Sequence, residues 1–156
     1  MPWSSSEDPI PQKLYIDATR NFAVEFPGNW QRFLTPEYPA LPGADAVGWE
    51  SPQRRADQAS GRIAVVTPHE PLSQEEAEAA VRANLPGLVV ENRAEERVFR
   101  LPAVVLTGYT AQRTYQIYLL DAPRVRFLLV YSALPEDFDR YRGHFRDMVQ
   151  SFEILR

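Results

Sequence analysis

Five consecutive residues, Phe127-Leu128-Leu129-Val130-Tyr131, form an apolar run with no polar interruption. Successive side chains of a strand point to opposite faces, so this run, when extended, is apolar on both. Its neighbours are strand candidates at Arg97 to Leu101, Ala103 to Tyr109, Thr114 to Leu120 and Val125 to Ala133, separated by short breaks such as Asp121-Ala122-Pro123-Arg124. Breaks of that length imply antiparallel pairing, because a parallel crossover needs about a dozen residues or more. An antiparallel strand that is apolar on both faces is an inner strand, and it requires a layer of structure on each side.

Two helices can supply those layers. Ser73 followed three residues later by Glu76 is a capping box, in which hydroxyl and carboxylate each satisfy an orphan backbone N–H. Ala77, Ala80, Val81 and Leu85 recur at helical spacing behind it, and Pro86-Gly87 stops the helix. Near the C-terminus, Pro135 suits a first helical turn, and Glu136 and Asp137 complement the positive end of the dipole. Phe138, Tyr141, Phe145, Met148, Val149 and Phe152 then mark one aromatic face, with Arg140, Arg142, Arg146 and Asp147 on the remainder. The expected fold is an α/β/α sandwich: a mostly antiparallel sheet of about seven strands, with helices near 73–85 and 135–150 on opposite faces. An α+β roll is the alternative.

The first half of the chain reads as strands and loops. Residues 1–12, polar and dotted with proline, read as a flexible linker ahead of a single domain at 13–156. Lys13 to Ile16 is a strand candidate, with Asp17 to Asn21 as its turn. Phe22, Val24 and Phe26 alternate with Ala23 and Glu25, which gives a strand with one apolar face. Pro27 and Gly28 are turn residues, Gly28 being able to take positive φ, and Trp30 to Leu34 is expected to return as the partner strand of a hairpin. Thr35 to Gly43 holds three prolines and reads as a surface loop. Ala46 to Glu50 and Arg62 to Thr67 are strands on either side of the polar stretch Ser51 to Gly61.

Composition narrows the functional classes. The chain has 156 residues, of which 44% are hydrophobic, enough for one domain burying roughly 70% of its unfolded surface. A net charge of −4 argues against nucleic acid as a partner. Cysteine is absent, which removes disulfides, thiol catalysis and Cys-type zinc sites. No run approaches the ~18 apolar residues of a membrane span. His69 and His144 are expected at the surface, lacking the spacing of a metal pair, so neither metal nor cofactor is expected. No serine sits in a G-x-S-x-G elbow, and Ser132 is expected only to lead into the last helix. No glycine pattern makes a phosphate loop. Glu75, Glu76 and Glu78 fall in the opening of a helix, where carboxylates favour the dipole. Glu95-Glu96 between Arg93 and Arg97 reads as a charged sheet edge. Arg54, Arg55, Arg62, Arg113, Arg124 and Arg126 could form a basic face, but solvated strand ends explain them more simply. Tyr109, Tyr115, Tyr118 and Tyr131 could line a pocket, though half-buried sheet positions account for them as well.

The stretch Phe26-Pro27-Gly28-Asn29-Trp30, followed far downstream by a helix running into Ser151-Phe152-Glu153-Ile154-Leu155, resembles the bacterial DcrB-like envelope proteins. More distantly it resembles the PsbP extrinsic subunit of photosystem II and its relatives. The resemblance spans about Tyr15 to Leu155 and implies the same sandwich. It implies a non-catalytic accessory or docking role with a protein partner, since such relatives act largely in that way, one of them by binding a small GTPase. It also implies the cell envelope, where residues 1–12 would suit the segment after a lipid-anchored cysteine lying upstream of Met1. A native start at Met1 and a cytoplasmic location are the alternative. None of the family's functional residues transfers, because only structural marks match. The second functional class is a small-ligand or lipid-binding protein using a cleft between sheet and helix; the third is an enzyme with a dispersed site. Function is expected on the loops flanking Ala46 to Glu50, where Tyr38 and Leu41 offer apolar anchors and Arg54 and Arg55 bidentate donors.

Overall fold

The computed structural model describes residues 11–32, 44–52, 61–122 and 125–155. Ten strands are described: β1 (Gln12–Asp17), β2 (Phe22–Pro27), β3 (Gln31–Arg32), β4 (Ala44–Glu50), β5 (Gly61–Pro68), β6 (Val89–Val98), β7 (Leu101–Tyr109), β8 (Thr114–Asp121), β9 (Arg126–Ala133) and β10 (Glu153–Ile154). Helix α1 (Gln74–Asn84) follows β5, and α2 (Phe138–Ser151) follows β9 after a single 3₁₀ turn at Pro135–Asp137. Seven strands form one sheet in the order β3-β4-β5-β9-β8-β7-β6, and β1-β2-β10 form a second, smaller one. Every pairing is antiparallel.

β9 lies at the centre of the large sheet, and all eight of its residues are buried. Its side chains divide between two cores. Leu128 and Val130 meet Ala77, Val81 and Leu85 of α1, whose small residues let the helix lie close. Phe127, Leu129 and Tyr131 meet Phe145, Met148 and Phe152 at the other face. The two helices therefore cover opposite faces, as the doubly apolar strand requires. The connection from β5 through α1 carries the chain to the far edge. The meander β6 to β9 then returns it to pair with β5.

Local chemistry ends the helices as expected. Glu76 N–H donates to Ser73 Oγ at 3.1 Å, and Ser73 N–H donates to Glu76 Oε1 at 2.9 Å. At the far end of α2, Ser151 Oγ accepts from Glu25 N–H and donates to Met148 C=O, both at 2.8 Å. That hydroxyl fastens the helix to β2.

The expected hairpin of Phe22 to Phe26 with Trp30 to Leu34 does not form. β2 pairs with β1 on one side and β10 on the other, while Gln31 and Arg32 pair with β4 in the large sheet. Trp30 causes the departure: its ring is buried against Tyr141 (5.4 Å between centroids) and His144 (5.7 Å), which pulls the chain across to the large sheet. Gly28 has no positive φ; it is needed because a Cβ there would meet the Pro11 carbonyl oxygen at 2.5 Å. A second departure concerns Arg97 to Leu101, which straddles the tip of the β6–β7 hairpin rather than forming one strand. Leu34, the loop Thr35 to Gly43 and Arg124 lie outside the described residues.

Phe145 is 1% exposed and stacks on Tyr131 at 5.3 Å, with Tyr118 edge-on at 5.7 Å. Phe145→Ala is expected to destabilise by about 3–5 kcal/mol, measured by urea denaturation.

Candidate binding cleft

The large sheet is wider than the layer above it on the α2 side. The small sheet packs over β4 through Trp49, which stacks on Phe26 at 4.4 Å and meets Tyr15 edge-on at 5.4 Å. α2 lies over β9 and β5. β7 and β6 extend beyond it, so helix flank and sheet enclose a cleft of about 590 Å³. Gln116 and Tyr118 of β8 and Glu96 of β6 line its sheet side; Arg142, Arg146 and Gln150 line its helix side. Arg97, Val98 and Phe99, at the β6–β7 turn, close one end.

Electrostatics in the cleft follow from these neighbours. Tyr118 O–H donates to Glu96 Oε1 at 3.3 Å, and burial, with Glu96 adding to it, pushes the phenol up to about 12. Arg142 pairs with Asp139 at 3.1 Å, and its guanidinium lies 4.9 Å from the Phe138 ring centre. Arg97 Nη1 donates to the Arg100 carbonyl at 3.2 Å. Arg146 has no ion-pair partner among the described residues. Three guanidinium groups thus meet Glu96 in the lining and Asp139, the partner of Arg142, beside it, in a chain whose net charge is −4.

The turn at the cleft end is strained. Phe99 and Arg100 have φ of 50° and 66°, the left-handed values of a two-residue I′ turn, where Asn-Gly is the favoured pair. Each costs about 1–3 kcal/mol. Phe99 is nonetheless half exposed, so burial of its ring does not repay that cost.

Arg113 and Arg126, singled out by sequence, are used in structural contacts. Arg113 is buried and donates from Nε to Ser132 Oγ at 2.9 Å and from Nη2 to the Ser132 carbonyl at 3.2 Å. Burial, with Arg62 adding to it, pushes Arg113 down to about 10. Ser132 is therefore the anchor of a buried arginine, not an approach to the last helix. Arg126 donates to the Leu72 carbonyl at 2.9 Å, to Gln74 Oε1 at 2.8 Å and to Asp121 at 3.3 Å. Arg62 pairs across from Ser132, six residues along β9 from Arg126, roughly 20 Å at strand rise. The described arginines of the suspected basic face therefore sit at opposite ends of the sheet. On the α1 side a cleft of about 460 Å³ is lined by Arg93, Gln74 and Asp121. Arg93 there is held bidentately by Glu78, at 3.0 Å from both Nε and Nη2.

Tyr38, Leu41, Arg54 and Arg55 lie outside the described residues. The segments that carry them join β4 at its two ends, 33–43 entering at Ala44 and 53–60 leaving after Pro52. Of the four tyrosines, Tyr118 lines the cleft, Tyr131 and Tyr115 belong to the two separate cores, and Tyr109 is exposed. His69 is exposed and pairs with Asp45 at 3.1 Å, beside Arg20, which bridges Asp45 and Asp17 at 2.9 Å each. Among the described residues no group of three or more His, Asp or Glu side chains is placed to hold a metal ion. No described helix is long and apolar enough to cross a membrane.

His144 departs from the surface position expected of it. It is half buried beside Trp30 and Tyr141, and burial lowers its pKa from the ordinary 6.5, with Asp147 opposing. The unfolded chain then binds more protons than the folded one between the lowered value and 6.5, so stability rises with pH through that window and is lost as pH falls through it. Urea melts at about pH 5 and about pH 7.5 should show this rise in the parent, and a smaller one in His144→Gln.

No family model matches the sequence, and no curated protein matches it significantly. The fold itself has clear counterparts. It is similar to cyanobacterial PsbP (CyanoP) of Synechocystis sp. PCC 6803, with TM-score 0.67 and 12% identity over 96% of this chain and 95% of that one. The Ran-binding protein Mog1p of Saccharomyces cerevisiae superposes with TM-score 0.59 and 9% identity, over 94% and 97%. LpqN, involved in cell envelope biogenesis of Mycobacterium tuberculosis, does so with TM-score 0.50 and 13% identity, over 96% and 87%. The architecture is the PsbP-like α/β/α sandwich.

Proposed function

We propose that this chain is a non-catalytic accessory module of the bacterial cell envelope that acts by binding another protein. One observation carries the reading: nearly the whole chain shares its fold with a PsbP protein, a Ran-binding protein and a protein of envelope biogenesis. Kinship with the DcrB-like envelope proteins belongs to the same proposal. It is supported by the Phe22 to Trp30 stretch and by Ser151, whose hydroxyl joins α2 to β2. A lipid anchor upstream of Met1 would place the module at a membrane surface without a spanning helix.

The segments at the two ends of β4 provide one set of contacts in this reading. Tyr38 and Leu41 act as apolar anchors and Arg54 and Arg55 as charged donors, on connections held by a rigid sheet. In vivo cross-linking followed by co-purification identifies the partner. Tyr38→Ala and Arg55→Ala are then expected to weaken binding at least several-fold while leaving the melting temperature nearly unchanged. Equal binding by both variants and the parent would remove these segments from the interface.

A further inference from the structure

We infer that the cleft between α2 and the β6–β7 hairpin is a docking site for an acidic protein segment carrying an apolar side chain. The inference rests on the protein-interaction reading and assigns its partner's chemistry. Six of the ten lining residues carry a charge or an amide, among them Arg97, Arg142, Arg146 and Gln116. An acyl chain or compact apolar ligand needs a mostly apolar lining, which this cleft lacks. Arginine and exposed aromatic rings are instead the side chains enriched where proteins meet.

Charge and shape agree on the occupant. With Asp139 counted beside Glu96, three guanidinium groups stand against two carboxylates, an excess opposite in sign to the chain as a whole and carried by Arg146, so carboxylates are the complementary groups. Arg142 and Arg146 are spaced i, i+4 and lie on one flank of α2, where they can hold carboxylates spaced along a peptide. The surface also continues past the cleft. Tyr109 and Val89 face each other across β7 and β6, on the sheet face that carries Gln116, and are 41% and 47% exposed. A bound segment that follows the sheet covers both.

The strained turn is an independent mark of the same site. Asparagine or glycine would relieve Phe99, yet the chain keeps a large apolar ring there, half exposed at the end of the cleft. Strain retained without burial fits a side chain held in place for a partner. Phe99 is the contact for the apolar side chain of the segment.

Nuclear magnetic resonance titration of the full chain tests this with a capped peptide of four glutamates around one phenylalanine. Shifts are expected at the amides of Gln116, Tyr118, Arg142, Arg146 and Val149, fading with added salt and absent with a lysine version of the peptide. The Arg142→Gln/Arg146→Gln double variant should bind about tenfold more weakly with an unchanged melting temperature. Phe99→Asn should bind more weakly yet melt higher, a split that a merely structural phenylalanine would not give. The inference is overturned if the acidic peptide moves no cleft amide. It is also overturned if the double variant binds like the parent, or if potassium laurate and not the peptide produces the shifts. These outcomes leave the broader reading standing, since a cross-linked partner that needs Tyr38 or Arg55 but neither cleft arginine would refute the cleft alone.

Discussion

The burial of β9 on both faces is the constraint from which the rest of the architecture follows. A strand whose alternate side chains all leave water contributes on the order of 1.5–3 kcal/mol for each large residue, but only when both faces are covered. Leu128 and Val130 on one side, and Phe127, Leu129 and Tyr131 on the other, therefore oblige the chain to place a helix above and a helix below. Tyr131 does more than fill space. Its ring stacks on Phe138 at 4.8 Å and on Phe145 at 5.3 Å, and its hydroxyl donates to the Phe138 carbonyl at the start of α2. The phenol is thereby buried with its polar atom satisfied, and burial raises its pKa far above the ordinary value.

The second sheet solves a problem that the helices leave. α2 is too narrow to cover β4, where Trp49 would otherwise face water. β1 and β2 close over that ring with Tyr15 and Phe26, and Phe22 joins Phe127 and Phe152 beneath them, at 5.7 Å and 5.9 Å. Trp30 is the crossing point: one residue past the turn, it commits the chain to the large sheet and wedges between Gly61 and α2. A Cβ at Gly61 would lie 2.9 Å from both the Trp30 and Tyr141 rings, so this approach requires glycine. Arg20, bridging Asp17 of β1 and Asp45 of β4, adds an electrostatic tie between the sheets.

Features that depend on nearby residues were readable from sequence. The capping box at Ser73, the aromatic face of α2 and the double-sided core strand are all set by the spacing of residues close together in the sequence. Features that depend on distant contacts were not. The partner of β2 turned on Trp30 finding Tyr141 and His144, which no local pattern encodes. β6 was readable only in part, as a charged sheet edge at Glu95-Glu96, for a different reason: an edge strand exposed on most of its length carries charges and little apolar alternation. Its turn was hidden too, because Phe99-Arg100 is not turn chemistry. At the site, Tyr118 was visible as a pocket candidate, whereas Arg142 and Arg146 read only as the polar side of a helix. Their meaning depends on the sheet extending past that helix.

On the docking proposal, that overhang separates stability from recognition in this fold. The face over β4, β5 and β9 is filled by aromatic rings in mutual contact, and the α1 face is filled chiefly by aliphatic side chains with Tyr115 among them, Arg93 and Arg126 being paired at its margin. Beyond α2 the sheet continues: Val98 and Ala103 of the hairpin still belong to the aromatic core, while Val89 and Tyr109 farther along it stay exposed. A sheet edge of this kind invites pairing with another strand, yet β6 carries Glu91, Arg93, Glu95, Glu96 and Arg97 and is interrupted by a bulge between Val90 and Asn92. Charge and irregularity of that sort disfavour strand addition. What the overhang leaves open is its face, where guanidinium groups from the helix and a strained aromatic turn from the sheet converge. The same charge and bulge that keep the edge from aggregating mean that a segment docking on this hairpin, as proposed above, would meet its face and not its edge.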